Sequence, residues 1–129
     1  EMFANKVIHL VHQNGFQDRV YYSSFDPEIL MAVRKQDAGA VIGFLYEVES
    51  LPIIEEMGLG TMPESIIKIA QSFQAQIISP ESVLLTEANL ERFKNAGFRV
   101  IPWVINEQNQ LLNWMEMGVD GIITDYPEA

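Results

Sequence analysis

An apolar run rich in β-branched and aromatic residues, a polar capping residue, a stretch of helical period, then a glycine or polar break: this unit recurs along the chain. No other feature restricts the fold as much. The runs are Arg19–Phe25, Ala40–Tyr46, Ala75–Ser79, Arg99–Ile105 and Gly121–Thr124. The second, Ala-Val-Ile-Gly-Phe-Leu-Tyr, is apolar on both faces, as a parallel strand covered on both sides must be. Asp26 followed by Pro27 reads as a helix N-cap and first helical position, with Glu28 complementing the helix dipole. Ile29, Leu30 and Val33 form that helix's apolar face. Pro63 opens another helix, in which Ile66, Ile67, Ala70 and Phe73 share one side. Thr86 and Asn106 read as caps of two later helices, which Gly97 and Gly118 close as left-handed stops. Pro102 interrupts the fourth run, because proline cannot donate to a strand ladder. Residues 47–62 carry no clear period. Val7, Ile8 and Val11, before Gly15, read as the end of an earlier helix, so a strand is expected to precede it in the complete fold.

Strand and helix in alternation predict an α/β protein with a parallel sheet and right-handed crossovers. A closed (β/α)₈ barrel takes roughly 200 to 250 residues, so 129 residues are expected to supply about five strands of eight. An open doubly wound sheet is the rival fold, but no glycine-rich phosphate loop follows any run.

The composition removes several functions. There are no cysteines, which excludes disulfides, thiolate nucleophiles and Cys-ligated zinc. A net charge of −10 opposes phosphate backbones and argues against nucleic acid. It also opposes a phosphodiester substrate unless a cation supplies local positive charge. No stretch approaches the roughly 18 apolar residues of a membrane span, and Glu1 to Lys6 do not read as a signal peptide. A cytoplasmic location is expected, with membrane association through an upstream segment left open.

Three segments then narrow the field: Ser23-Ser24-Phe25-Asp26-Pro27-Glu28-Ile29-Leu30; Pro102-Trp103-Val104-Ile105-Asn106-Glu107, preceded by Ala96-Gly97-Phe98-Arg99-Val100; and Gly118-Val119-Asp120-Gly121-Ile122-Ile123-Thr124-Asp125-Tyr126-Pro127. In this order and spacing the chain resembles the glycerophosphodiester phosphodiesterase family, at its fourth, seventh and eighth strand regions. Val104-Ile105 departs conservatively from the family's more usual Thr-Val. The resemblance implies that residues 1–129 are the C-terminal part of the catalytic domain, a partial TIM (β/α)₈ barrel of about the last five β/α units. It implies metal-assisted hydrolysis of glycerophosphodiesters to glycerol 3-phosphate and an alcohol. Magnesium or calcium is expected in the complete enzyme, held by carboxylates, with two histidines as acid and base. The family's His-Arg-Gly, Glu-x-Asp, second-histidine and Glu-Ile-Lys motifs are absent here, although Glu1 could be the tail of one. The resemblance therefore assigns this chain no catalytic residue, no metal ligand and no bound cofactor.

Active sites of parallel barrels lie at the carboxyl ends of the strands. Ser24, Phe25, Tyr46, Glu47, Ser79, Trp103, Asn106, Thr124 and Asp125 fall there. The substrate-pocket candidates are Phe25, Tyr46, Glu47, Trp103 and Asn106. By resemblance, Phe25 and Trp103 form an apolar wall; both also read as core aromatics. Glu47 reads more simply as a loop carboxylate, Asn106 as a helix cap and Asp125 as a turn residue. His9 and His12 share a helix face, but no carboxylate or third histidine joins them by sequence, so they read as surface residues. Glu47, Glu49, Glu55 and Glu56 read as a solvated acidic face, with a loose cation site conceivable.

Two functions are carried forward. One is an enzyme portion acting on a small glycerophosphodiester and inactive alone, because its acid–base groups lie in an N-terminal half. The other is a non-catalytic half-barrel for binding or assembly. Both expect exposed strand edges that pair with the missing half or with a second copy.

Overall fold

The computed structural model describes residues 2–16 and 18–125, with side chains from residue 5 onward. Glu1, and the Tyr126-Pro127 end of the third motif, lie outside the described residues. The elements are helix α1 (Met2–Gln13), strand β1 (Tyr22–Ser24), α2 (Pro27–Gln36), β2 (Ile42–Tyr46), α3 (Leu51–Glu56), α4 (Glu64–Ser72), β3 (Ile77–Pro80), α5 (Glu87–Asn95), β4 (Arg99–Val100) and α6 (Gln108–Met117). Short 3₁₀ turns at Val48–Ser50 and Ser82–Leu84 follow β2 and β3. No helix among the described residues is long and apolar enough to cross a membrane.

The four strands form one parallel sheet in the order β1-β2-β3-β4. Sequence order and spatial order coincide. A doubly wound sheet reverses direction at a switch point; this one winds one way throughout. The helices accordingly share a face. Side chains alternate along a strand, so Ile42, Phe44 and Tyr46 point to one side. There they pack with Leu30 and Val33 of α2, Ile66 and Ala70 of α4, and Leu90 and Phe93 of α5, all buried. Ring contacts tie the layers together, Phe44 to Phe73 at 5.8 Å and Tyr46 to Phe93 at 6.5 Å. The opposite face carries Tyr21, Gly43, Leu45, Ile77, Ile101 and Trp103. Gly43 is required there, because a Cβ would lie 3.3 Å from the Tyr21 ring and 3.5 Å from Ile77. Tyr21 on this face is 39% exposed.

Local sequence explains the helix starts. Asp26 Oδ1 accepts from the Glu28 N–H at 2.9 Å, and Thr86 Oγ1 from the Asn89 N–H at 3.1 Å, each satisfying a donor the first turn leaves free. Gly118 closes α6 at φ 97°, a conformation glycine adopts without steric cost.

Three expectations are corrected. The fourth run is a two-residue strand, Arg99–Val100, although its ladder continues through Ile101 N–H to Ile78 O (3.1 Å) and Trp103 N–H to Pro80 O (3.0 Å). The run Gly121–Thr124 is not a regular strand. Ile123 donates to Pro102 O at 3.1 Å, and the Ile105 N–H donates to Ile123 O at 3.0 Å. These partners lie one residue farther apart than a regular parallel ladder allows, and Pro102 has no N–H to give, so pairing exists without an even ladder. Asn106 does not cap α6. The cap position is Glu107, which makes no side-chain cap bond.

Candidate functional site

Each strand delivers its next residue to the carboxyl end of the sheet: Phe25 after β1, Glu47 after β2 and Glu81 after β3. Glu81 is bridged in turn to Trp103. Phe25 and Trp103 come from opposite sides of the sheet, with β2 and β3 between them. Their rings nevertheless meet edge-to-face, with centroids 5.5 Å apart and an interplanar angle of 82°. The two side chains therefore lean toward each other across the ends of the middle strands. An edge-to-face pair adds about 0.5–1.5 kcal/mol beyond the area it buries. Trp103 is further fixed by its indole N–H, which donates to Ser79 O at 3.0 Å. Phe25 remains 44% exposed, so the pair forms a wall with one open face rather than a piece of core.

Glu47 stands beside this wall, half-buried, and its backbone N–H donates to Ser50 Oγ at 3.2 Å. Its side chain and Phe25 both line a groove of about 720 Å³ running between α2 and α3. Glu81, which the sequence reading passed over, joins the same rim. Its Oε1 accepts from the Val48 N–H at 3.1 Å, and its own N–H donates to Tyr46 O at 2.9 Å. It was legible in principle: Pro80 ends the third run, and Glu81 holds the place that Phe25 and Glu47 hold in theirs.

Two candidates lie elsewhere. Tyr46 is corrected outright: it is completely buried on the helix-facing side, between Phe44 and Phe93. Alternation along β2 turns it away from the mouth. Its hydroxyl has no hydrogen-bond partner, and burial raises its pKa far above the ordinary tyrosine range. Asn106 is at the sheet's end but is engaged. Its Oδ1 accepts from the Asp125 N–H (2.9 Å) and the Thr124 hydroxyl (3.1 Å), and its Nδ2 donates to Asp125 Oδ2 (3.1 Å). It pins the last segment to the loop before α6. The buried Ser79 hydroxyl, on the Trp103 side of β3, has no partner.

Asp120, central to the third motif, is structural. Its Oδ2 accepts from the Val100 N–H at 2.8 Å, and Lys94 Nζ reaches both carboxylate oxygens at 3.0 Å. Burial pushes its carboxyl up, but the Val100 N–H and Lys94 outweigh that and hold it below the usual carboxylate value. The histidine reading is corrected in one respect. His12 does have a carboxylate, Asp37 at the end of α2, with Nε2 2.9 Å from Oδ2. The bond to His12 holds the Asp37 carboxyl low, with help from the Gly39 N–H. This is a clasp between α1 and α2. Among the described residues, no three His, Cys, Asp or Glu side chains converge as metal ligands would.

The model of the glycerophosphoryl diester phosphodiesterase family matches residues 2–129. A glycerophosphodiester phosphodiesterase of Caldanaerobacter subterraneus subsp. tengcongensis is 31% identical over 124 residues, which cover 96% of this chain and 46% of that protein. A crystal structure assigned as a glycerophosphoryl diester phosphodiesterase from Silicibacter pomeroyi superposes with a TM-score of 0.83 at 26% identity, covering 96% of this chain and 40% of the other. An Oleispira antarctica phosphodiesterase, solved with the product sn-glycerol-3-phosphate, has the same fold, with a TM-score of 0.78 at 15% identity over 96% of this chain and 45% of its own. The chain spans less than half the length of the relatives it matches.

Proposed function

The chain belongs to the glycerophosphoryl diester phosphodiesterase family, and from that membership we propose that it forms one side of a family barrel, about the last five of eight β/α units. Its part in hydrolysing glycerophosphodiesters to glycerol 3-phosphate and an alcohol is to build the pocket wall. The observation that carries this is the meeting of Phe25 and Trp103 at 5.5 Å over the carboxyl end of the sheet, where parallel barrels hold their substrates. The wall packs against the apolar side of the ligand and excludes water from it. Glu81, through Val48, fixes the loop that carries Glu47 beside the wall.

The divalent cation that the family reading brings does not fit this donor set. No convergent group of three donors exists among the described residues, and Asp125 is tied to Asn106. No step is therefore routed through a metal held here. Acid, base and cation belong to the N-terminal units of such a barrel, and the chain alone is inactive. The two expected partners are that half or a second copy meeting the outer edge of β1, which pairs only with β2 among the described residues.

The test is glycerophosphocholine hydrolysis with magnesium or calcium. No turnover is expected from the chain alone. Turnover that survives both Trp103→Ala and Glu47→Gln would overturn the mapping.

A further inference from the structure

The groove beside the wall is too apolar and too open for a packing defect between helices. Its floor is Phe44, and its sides are Met31 of α2 with Ile53 and Met57 of α3 and its C-terminal end. Met31 is 45% exposed, Ile53 67% and Met57 45%. Apolar side chains this exposed and contiguous mark a binding surface, and about 720 Å³ lies within the roughly 300–1,000 Å³ of small-molecule sites. One end opens at Phe25, whose ring also forms half of the Phe25–Trp103 wall. The groove is thus continuous with the pocket. Its rim carries four carboxylates, Asp26, Glu28, Glu47 and Glu49, and no Lys or Arg.

We infer that this groove holds a single alkyl or acyl chain borne by the substrate, so that the preferred glycerophosphodiesters are single-tailed, neutral or zwitterionic amphiphiles. The inference rests on the family reading for the head group only; the tail site stands on the groove's own lining. Continuity through Phe25 sets the geometry. A ligand whose polar part rests at the Phe25–Trp103 wall can lay its tail along Met31, Ile53 and Met57 without leaving the surface. The rim sets the charge. Four carboxylates beside an apolar trough repel a free fatty-acid carboxylate and tolerate an uncharged or zwitterionic head.

The experiment is calorimetric titration of the chain, below micelle formation, with hexyl, octyl and decyl maltosides and with glycerophosphocholine bearing no tail or one tail of those lengths. Complete burial of a methylene is worth roughly fourfold in affinity, so about two- to fourfold per methylene is expected in an open groove. Decanoate is expected to bind at least about tenfold more weakly than decyl maltoside, in line with the repulsion between like charges at close range. Ile53→Asp and Met57→Ser, both at exposed positions, should flatten the chain-length series while leaving tail-free glycerophosphocholine binding unchanged. A flat maltoside series in the unaltered chain overturns the inference. So does a series that both variants leave intact, or an Ile53→Asp variant whose only change is to turn a dimer into a monomer. If the maltoside series rises but glycerophosphocholine heads add nothing, the tail site stands and the phosphodiester reading falls. If tail-free glycerophosphocholine binds and tails add nothing, the reverse holds.

Discussion

The Tyr46 hydroxyl lies in the core with no hydrogen-bond partner, and an unsatisfied buried polar group costs about 1–3 kcal/mol. Removing that oxygen keeps the ring between Phe44 and Phe93. Tyr46→Phe is therefore expected to leave stability unchanged or raise it by about 1 kcal/mol, read as a higher urea midpoint at unchanged slope. Ligand binding at the mouth should not move, since Tyr46 faces the helices. A pocket tyrosine would show the opposite, with weaker binding and no gain in stability. Trp103→Ala makes the contrast. It removes half of the ring pair and the bond to Ser79 O, and is expected to cost about 3 kcal/mol, at the low end for loss of a large aromatic because the residue is only half-buried. Trp103→Phe should recover part of that loss but not the indole hydrogen bond.

At the scale of elements, β4 is too short to hold itself in place, and Asp120 holds it. The carboxylate joins the start of β4 at the Val100 N–H to Lys94 at the end of α5. Asp120→Asn keeps the shape but loses the charge, and should cost about 1–2 kcal/mol at pH 7, given that hydrogen bonds to charged groups are worth about 1.5–3 and partial exposure reduces that. The Asp120 carboxyl is held low in the folded chain. Its contribution is thus complete above the unfolded value near 3.9 and lost as pH falls through the folded value. The gap between the two proteins should close on acidification, and a gap constant from pH 7 to pH 2.5 would refute the clasp. The same element shows what a sequence displays and what it withholds. The caps at Asp26 and Thr86 and the stop at Gly118 were legible because each is satisfied within a few residues. The apolar faces of α2 and α4 were legible because period alone defines them. The role of Asp120 was not, since its partners lie 20 and 26 residues away. The His12–Asp37 bond spans 25 residues and was hidden for the same reason. Asn106 was misread because a residue able to cap a helix is equally able to pin a neighbouring segment, and only the fold decides between them. The final run failed as a strand because regular pairing depends on register with residues 102–105, where proline removes a donor.

For the whole molecule, the asymmetry between the two sheet faces is decisive. One face is sealed by helices, with Ile42, Phe44 and Tyr46 inaccessible to solvent. The other carries Tyr21, Leu45, Ile101 and Trp103, only partly covered, and borders the free edge of β1. In a closed barrel that face is the packed interior. Left open, it pairs an apolar surface with unsatisfied backbone donors and acceptors, the two ingredients of association through strand edges. The chain in isolation is expected to self-associate reversibly, with a weight-average mass that rises with concentration in sedimentation equilibrium. Tyr21→Lys puts a charge on the exposed margin of this face, where the side chain is already 39% accessible. It should shift the equilibrium to monomer while leaving the unfolding midpoint of the monomer within about 0.5 kcal/mol, as for an ordinary surface change. Ile53→Asp, on the opposite side of β2, should not affect association at all. That pairing of variants separates the two apolar surfaces, one that a barrel closes and one that a ligand fills. A chain that stays monomeric at every concentration would mean that the inner face satisfies itself, and the partial-barrel reading would fall with it.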